Sequence, residues 1–336
     1  MNRGLAVLLL VTLSTTAATT RADTPPNAWD VARDPGIRTR WRTHVDARLR
    51  LDMPSTIEVR PLAEAWREGL RARLEDVNAA ESPDVRLRFD LGEVYEQLDD
   101  HQRAIDTLAP ALEMAPDHPA AARAWLFIAF AYAHMDRSRE ESHAYEMYLA
   151  LETSEAARVT PMLNLAEAQM RLGRMDEAVL GYRDTLNAAM AIANRNASRD
   201  ELLAVWGLTV ALDRSGDPAG SAEQAAQAVL MDPREAIVGH HPDVFFVPDY
   251  ERNWYLGLGR MADARRETDP KAALQDWTDA ELLWQSYASQ AGPKDRWFAL
   301  ATAHQQRAHA ERLLAEKRAG SKAPPPSDDM RMFIRF

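Results

Sequence analysis

The sequence predicts an all-α protein built from stacked antiparallel helix pairs, with capping helices on both flanks. Three observations support this prediction. Apolar residues recur at helical spacing over most of residues 61–318. One arrangement of small and large residues recurs four times within residues 85–235. Proline, glycine and polar residues stand where the helices should end, as at Pro116 and Pro233.

The first 22 residues have the pattern of a secretory signal peptide. Arg3 is followed by the apolar run LAVLLLVTL and then by small and polar residues, so we place the cleavage after Ala22. The alternative is an uncleaved anchor, but the run is far shorter than the ~20 residues that span a bilayer. The chain has no cysteine, which excludes a cysteine-linked lipid anchor. We therefore expect a periplasmic or secreted protein with no integral membrane segment after cleavage.

Residues 85–118 show the recurring arrangement most clearly. With Val85 as position 1, small residues stand at positions 8 and 20, and large apolar residues stand at positions 7, 11 and 24. These residues are Gly92, Ala104, Leu91, Tyr95 and Leu108. Two antiparallel helices explain the pattern, because the small residues let the backbones approach and the large ones fill the space around that contact. Pro116, at position 32, ends the second helix.

Three further units follow the same count. The second unit departs from it at position 20, where Glu141 replaces a small residue, and we interpret Glu140 and Glu141 as solvated acids near a helix end. The third unit begins near Val159 and lacks the terminal proline, so its second helix should run long, toward residue 194. The fourth begins near Leu202.

This arrangement resembles the tetratricopeptide repeat, whose period is 34 residues. The resemblance implies a right-handed α-solenoid, in which the first helix of each pair lines a concave face that binds ligands. The residues at facing positions that we select as a ligand groove are Phe89, Arg123, Phe127, Phe130, Asn164 and Trp206. Other facing positions hold His134, Glu167, Arg171 and Leu203. The lysine- and asparagine-rich clamp with which some family members hold a terminal carboxylate is absent.

The sequence divides into five predicted segments. They are a signal peptide (1–22), a partly helical N-terminal extension (23–60), a repeat array with a leading helix (61–235), a helical region with a degenerate repeat and a capping helix (236–318), and a disordered tail (319–336). The leading helix should pack on the first repeat. The capping helix should start near Pro293 and Asp295.

Two segments could occupy the groove from within the chain. After Pro233 we expect a loop whose apolar residues, 244–247, enter the groove between units. The tail ends in MRMFIRF, an apolar and basic peptide that would suit an acidic groove lined by aromatic residues, in its own chain or in a neighbouring copy. A terminus that binds nothing is the alternative for this tail.

The sequence lacks the motifs of common enzymes. It contains no His-Glu-x-x-His, no glycine-rich phosphate loop and no Gly-x-Ser-x-Gly. The best metal candidate is the set His240, His241 and Asp243, which we interpret as a loop tip. A net charge of −11 disfavours nucleic acid as a partner. We therefore predict a protein that is not an enzyme and needs no cofactor.

The predicted function is that of an exported adaptor or scaffold that binds a protein or peptide partner in an aromatic-lined concave groove. One alternative is an envelope protein that binds carbohydrate or peptidoglycan through tryptophans stacked on sugar rings; the candidates are Trp206, Trp277, Trp284 and Trp297. The other alternative is a hydrolase on a helical scaffold.

Overall fold

The computed structural model describes residues 66–192, 199–241 and 244–327. The predicted signal peptide, the N-terminal extension and the terminal heptad lie outside these residues, as does Asp243. Within the described ranges the regular elements are all helices, as predicted. We number them α1 (66–76), α2 (Val85–Glu96), α3 (His101–Met114), α4 (Ala121–His134), α5 (Ser138–Leu151), α6 (Glu155–Leu172), α7 (Met175–Ile192), α8 (Arg199–Ser215), α9 (Pro218–Met231), α10 (Ala236–His240), α11 (Arg252–Arg266), α12 (Pro270–Ala291) and α13 (Phe298–Ala319).

The chain divides into two compact units, one ending at Thr107 and the other beginning at Leu108. In the first unit, the leading helix α1 packs on α2. Leu70 and Leu74 of α1 are buried in one cluster with Leu91 of α2. The hydroxyl of Tyr95 donates a hydrogen bond of 2.8 Å to Glu75 of α1. Apolar burial and this hydrogen bond together fix the leading helix on the first repeat.

The second unit is a stack of helix pairs in chain order. Helices α4 and α5, α6 and α7, α8 and α9, and α11 and α12 pack as pairs, and α13 covers α12. Small residues sit where helices approach closely; Ala129 of α4, Ala166 of α6 and Ala178 of α7 are fully buried. Helix α7 has 18 residues, whereas α5 and α9, the second helices of the preceding and following pairs, have 14 each. The predicted all-α architecture of stacked helix pairs is confirmed.

Glu141 is not the solvated acid that the sequence predicts. Its side chain is almost fully buried and pairs with Arg171 of α6. Only Glu140 behaves as expected, since it forms a partly exposed ion pair with Arg137. Helices α4 and α5 still pack closely, because the Glu141 side chain has a basic partner on the next helix pair. The departure at position 20 therefore marks a buried charge and leaves the helix pair intact.

The segment after α9 is more ordered than the loop that we expect from the sequence. The carboxylate of Asp232 accepts hydrogen bonds from the indole Nε1 of Trp206 at 3.0 Å and from the backbone N–H groups of Ile237 and Val238 at 2.9 and 3.3 Å. These bonds satisfy the first N–H groups of α10, which are the donors that a helix start leaves without partners. Asp232 thus starts a short helix and anchors Trp206 at the same time.

The last helices enclose an aromatic core. Trp254 of α11 packs edge-on against Trp284 and Tyr287 of α12. The carboxylate of Asp213 accepts from the indole of Trp254 at 3.0 Å and lies 2.8 Å from Nε2 of His304 on α13. These contacts tie the capping helix to α8 and α11.

The capping helix begins at Phe298, five residues after the predicted start near Pro293. Asp295 lies in the preceding turn, where its carboxylate accepts from the backbone N–H of Trp297 at 2.8 Å. The prediction of a disordered tail also needs correction as far as residue 327. The carbonyl of Pro325 accepts from Gln275, and Ser327 donates to Asp279 of α12. The tail therefore follows α12 up to this point.

Candidate binding site

A cavity of about 250 Å³ lies on the face formed by the first helices of successive pairs in the second unit. Helices α4, α6, α8 and α11 supply most of its walls, and residues 244–247 close part of it. Residues that line it from these elements include Phe130, Asn164, Leu203 and Tyr255. The second helices α5 and α7 and the short helix α10 also contribute, so the cavity lies mainly, and not entirely, on the helices that the repeat resemblance assigns to the ligand-binding face.

A buried ion pair forms one end of the cavity. Glu141 is 2% exposed, and its Oε2 contacts the guanidinium of Arg171. Burial, together with the neighbouring acids Glu167 and Asp136, raises the pKa of Glu141 to about 8, although Arg171 opposes the shift. This end of the cavity therefore holds two acidic side chains beside one guanidinium, and the raised pKa of Glu141 reduces its negative charge near neutral pH.

Glu167 adds a second carboxylate, one turn before Arg171 on α6. In the described part of the chain, its side chain has no hydrogen bond or ion pair, and it lines the cavity. The surrounding protein raises the pKa of Glu167 because the charged form loses hydration, while Arg171 and Arg214 act against this rise. A carboxylate in this position would gain from an incoming donor.

Uncharged polar groups complete the same wall. The side-chain amide of Asn164 donates to the hydroxyl of Tyr145 at 2.9 Å, and the ring of Phe130 packs edge-on against Tyr145 at 6.3 Å. At the other end, Thr160 donates to Asp200 of α8 at 2.5 Å. The cavity wall therefore combines aromatic rings and uncharged polar groups with acidic side chains, of which Asp200 lies 3.6 Å from Arg199.

Gly207 of α8 allows the opposite wall to form. A Cβ at this position would lie 2.1 Å from the ring of Tyr182, which lines the cavity together with Gly207. Such a distance is far below van der Waals contact, so only glycine permits the tyrosine ring to lie flat against the α8 backbone. The sequence gives no sign of this role, since Gly207 does not stand at a small-residue position of the repeat.

Residues 244–247 enter the groove, as the sequence predicts. Phe245 stacks on His134 with ring centres 4.4 Å apart and stays 47% exposed. Phe246 is buried and packs against Tyr255 at 5.1 Å. The chain thus covers part of its own groove, and Phe245 remains the accessible aromatic ring of that cover.

Two of the six predicted groove residues line the cavity. Phe130 and Asn164 line the cavity, as do the other facing residues His134, Glu167, Arg171 and Leu203. Trp206 is fully buried and Phe127 is 8% exposed, so both belong to the core, where Arg123 stacks over the Phe127 ring. Phe89 lies in the first unit and is 5% exposed.

The tryptophans proposed for sugar stacking have little surface to offer. Trp206 and Trp284 are fully buried, and Trp277 is nearly so. Trp297 is partly buried, between the guanidinium groups of Arg214 and Arg296. These residues do not support the alternative of a carbohydrate-binding protein.

Two further properties of the described residues bear on other functions. They contain no group of three histidine, cysteine, aspartate or glutamate side chains placed to hold a metal ion. None of the helices over the same residues combines the length and the apolar composition needed to cross a membrane.

Comparison with known proteins supports the tetratricopeptide resemblance. The family model for the tetratricopeptide repeat matches residues 85–118. No curated protein matches the chain significantly.

Several solved structures are similar to the chain. One contains nearly identical TPR-like repeats of a protein described as a kinesin light chain from Podosopora anserina. It is 20% identical to this chain over an alignment that covers 62% of this chain and 94% of that structure, with a TM-score of 0.41. Another is BtubC from P. vanneervenii, with 15% identity, 79% and 93% covered, and a TM-score of 0.41. A third is pilF of Pseudomonas aeruginosa, with 16% identity, 72% and 99% covered, and a TM-score of 0.37. The comparisons thus show a match to the tetratricopeptide-repeat model at residues 85–118, in a chain whose described residues form helices as their regular elements.

Proposed function

We propose that this chain is an exported adaptor that binds a segment of a partner protein in the cavity of its second unit. The observation that carries the proposal is the cavity itself, which lies on the first helices of successive pairs and combines aromatic walls with buried charges. Concave sites with a few convergent polar groups are where proteins commonly bind ligands. The repeat fold commonly serves protein–protein interaction, and it supports a partner that is a protein or a peptide.

Export is part of the proposal and rests on the sequence of residues 1–22. Mass spectrometry of the protein recovered from a periplasmic or culture fraction tests it. We expect the recovered chain to begin at Asp23. A cytosolic chain that retains residues 1–22 would contradict export and would leave the binding proposal unaffected.

A capture experiment tests the binding proposal. Purified protein is cross-linked to an envelope extract, and the captured proteins are identified by mass spectrometry. Phe130→Asp places a charge on the aromatic wall, and Leu230→Asp is the matched control because Leu230 is 63% exposed on α9. Circular dichroism first establishes that both variants are folded. We expect one client to be captured by wild type and by Leu230→Asp and lost with Phe130→Asp; equal capture by all three would place the binding surface elsewhere.

The C-terminal heptad is a second candidate occupant of the cavity. The chain that precedes it contacts α12 as far as Ser327, which donates a hydrogen bond to Asp279. Its alternation of apolar residues with Arg331 and Arg335 supports this assignment. Removal of residues 328–336 should then increase the affinity for any peptide that binds the cavity. Unchanged affinity and unchanged mass in solution would leave the heptad without this role.

A further inference from the structure

We propose that the cavity recognises one basic side chain, an arginine or a lysine, flanked by apolar residues in the bound segment. This inference rests on the proposed function, because it names the chemistry of the segment that the adaptor holds. Charge balance, the shape of the cavity and the state of Arg171 each support it.

One carboxylate on the cavity wall has no direct contact with a basic group. Arg171 contacts Glu141, and Nε of Arg199 lies 3.6 Å from Asp200. Glu167 forms no hydrogen bond or ion pair among the described residues, and Arg171 and Arg214 act on it only through their charges. A cation that reaches Glu167 would form that direct contact with a partly desolvated carboxylate, where the contact is stronger than at an open surface.

The neighbouring charges do not fill this role. Arg214 lies behind the wall and is held by Glu251, with 2.6 Å between Nη2 and Oε2. Its guanidinium is also stacked on the Trp254 ring, at 4.2 Å from the ring centre. These contacts hold Arg214 on Glu251 and Trp254, so it acts on Glu167 through its charge without forming an ion pair with it.

The cavity is small for a ligand pocket. Its volume of about 250 Å³ falls below the range of roughly 300–1,000 Å³ that is usual for pockets that enclose drug-sized ligands. Phe130 and Phe245 supply aromatic surface against which the aliphatic part of an arginine or lysine, and an apolar neighbour, would pack. The bound segment would then place its basic residue in the cavity and the apolar residues against these rings.

An acidic ligand does not suit the same site. A carboxylate that approached Arg171 would also approach Glu141 and Glu167, the two acids that already interact with that guanidinium. Like charges at this distance oppose binding in a partly desolvated site. The cavity therefore disfavours the terminal carboxylate that other tetratricopeptide proteins bind.

A selection from random heptapeptides displayed on phage tests the inference, because the selection works with any ligand that fits the cavity. Purified protein, Glu167→Gln and the matched control Glu223→Gln are each used as bait. Glu223 is exposed on α9, so its neutralisation changes the charge of the protein equally but leaves the cavity unchanged. The consensus peptide is then synthesised with its basic residue and with neutral citrulline or norleucine in its place, and the affinities are measured by calorimetry.

We expect a consensus with an arginine or lysine next to an apolar residue. Its affinity should fall at least about tenfold with the neutral peptide or with Glu167→Gln, and should stay unchanged with Glu223→Gln. A consensus without a basic residue, or one that binds Glu167→Gln equally well, would overturn this inference while leaving the adaptor proposal in place. Enrichment of no peptide, or of peptides that Phe130→Asp binds unchanged, would overturn both.

Discussion

Glu141 of α5 and Arg171 of α6 form a buried ion pair between two successive helix pairs, at the edge of the cavity. The pair holds the guanidinium of Arg171 on the cavity wall, where Glu167 also lies. It therefore contributes both to the packing of the stack and to the charge that a ligand meets.

Replacing Arg171 with Met should lower the free energy of unfolding by about 3 kcal/mol, because Glu141 would stay buried without its partner. Urea unfolding monitored by circular dichroism measures this loss. Arg174→Met is the control, since Arg174 is exposed and makes only a long contact of 3.8 Å to Glu177. A control that loses as much stability as Arg171→Met would show that the buried pair has no special role.

Stability should decrease as the pH rises from about 5 to about 8. Burial and the nearby acids Glu167 and Asp136 raise the pKa of Glu141 to about 8, although the positive charge of Arg171 opposes this rise. The hydroxyl of Tyr145 is a further titratable group near Glu141. A carboxyl with a raised pKa stabilises the fold at low pH, and that stabilisation disappears as the pH rises through the folded-state value. One unit of pKa shift corresponds to about 1.4 kcal/mol, so the loss over this range should exceed roughly 1 kcal/mol.

Glu235 and Asp276, both near Arg260, act in the same direction, since burial raises their pKa values to about 8 and about 6. The informative quantity is therefore the difference between wild type and Glu141→Gln. Urea titrations at pH 5 and pH 8 should give a smaller pH dependence for Glu141→Gln. An identical dependence in both proteins would mean that Glu141 is already ionised at pH 5.

Replacing Gly207 with Ala should destabilise the second unit by about 1–3 kcal/mol, because the new methyl group would meet the Tyr182 ring. Gly69→Ala is the matched control. Gly69 lies in α1 with no other atom within 4 Å of an added Cβ, so alanine should stabilise the helix there by about 0.5–1 kcal/mol. Thermal unfolding of the two variants should thus move in opposite directions, and a neutral result for Gly207→Ala would show that Tyr182 can move away at little cost.

Replacing Trp206 with Phe distinguishes a residue that stabilises the core from one that binds the ligand. The variant loses the indole donor to Asp232 and should lose about 1–3 kcal/mol of stability, because a buried acceptor loses a hydrogen bond. Its affinity for a cavity-binding peptide should be unchanged, whereas Phe130→Asp should abolish binding. If the folded Trp206→Phe variant bound the peptide more weakly than wild type, Trp206 would have to be assigned to the binding site.

The repeat count predicts which helix faces the cavity better than it predicts which residues are accessible. Phe130, Asn164, Glu167 and Arg171 line the cavity as their positions require. Trp206 stands at a facing position too, but it is fully buried, with Asp232 and Gly259 beside its ring. The spacing of residues within one repeat does not predict these contacts, because both residues come later in the chain.

The Glu141–Arg171 pair shows a second limit of the sequence. Position 20 normally holds a small residue, and the residue that compensates for Glu141 lies 30 positions later on another helix pair. Such a contact depends on how the pairs stack, which a spacing rule within one unit does not describe. The apolar run of residues 244–247 is easier to interpret, because its composition favours packing against other apolar groups. Phe246 is buried accordingly, whereas Phe245 stays 47% exposed.

Photo-cross-linking from inside the cavity would show directly whether a ligand lies there. A benzoyl-phenylalanine placed at position 130 reports on the cavity, and the same residue at position 230 reports on the exposed side of α9. We predict that the consensus peptide or the captured client is cross-linked from position 130 and not from position 230. Equal cross-linking from both positions, or cross-linking from position 230 alone, would contradict binding in the cavity.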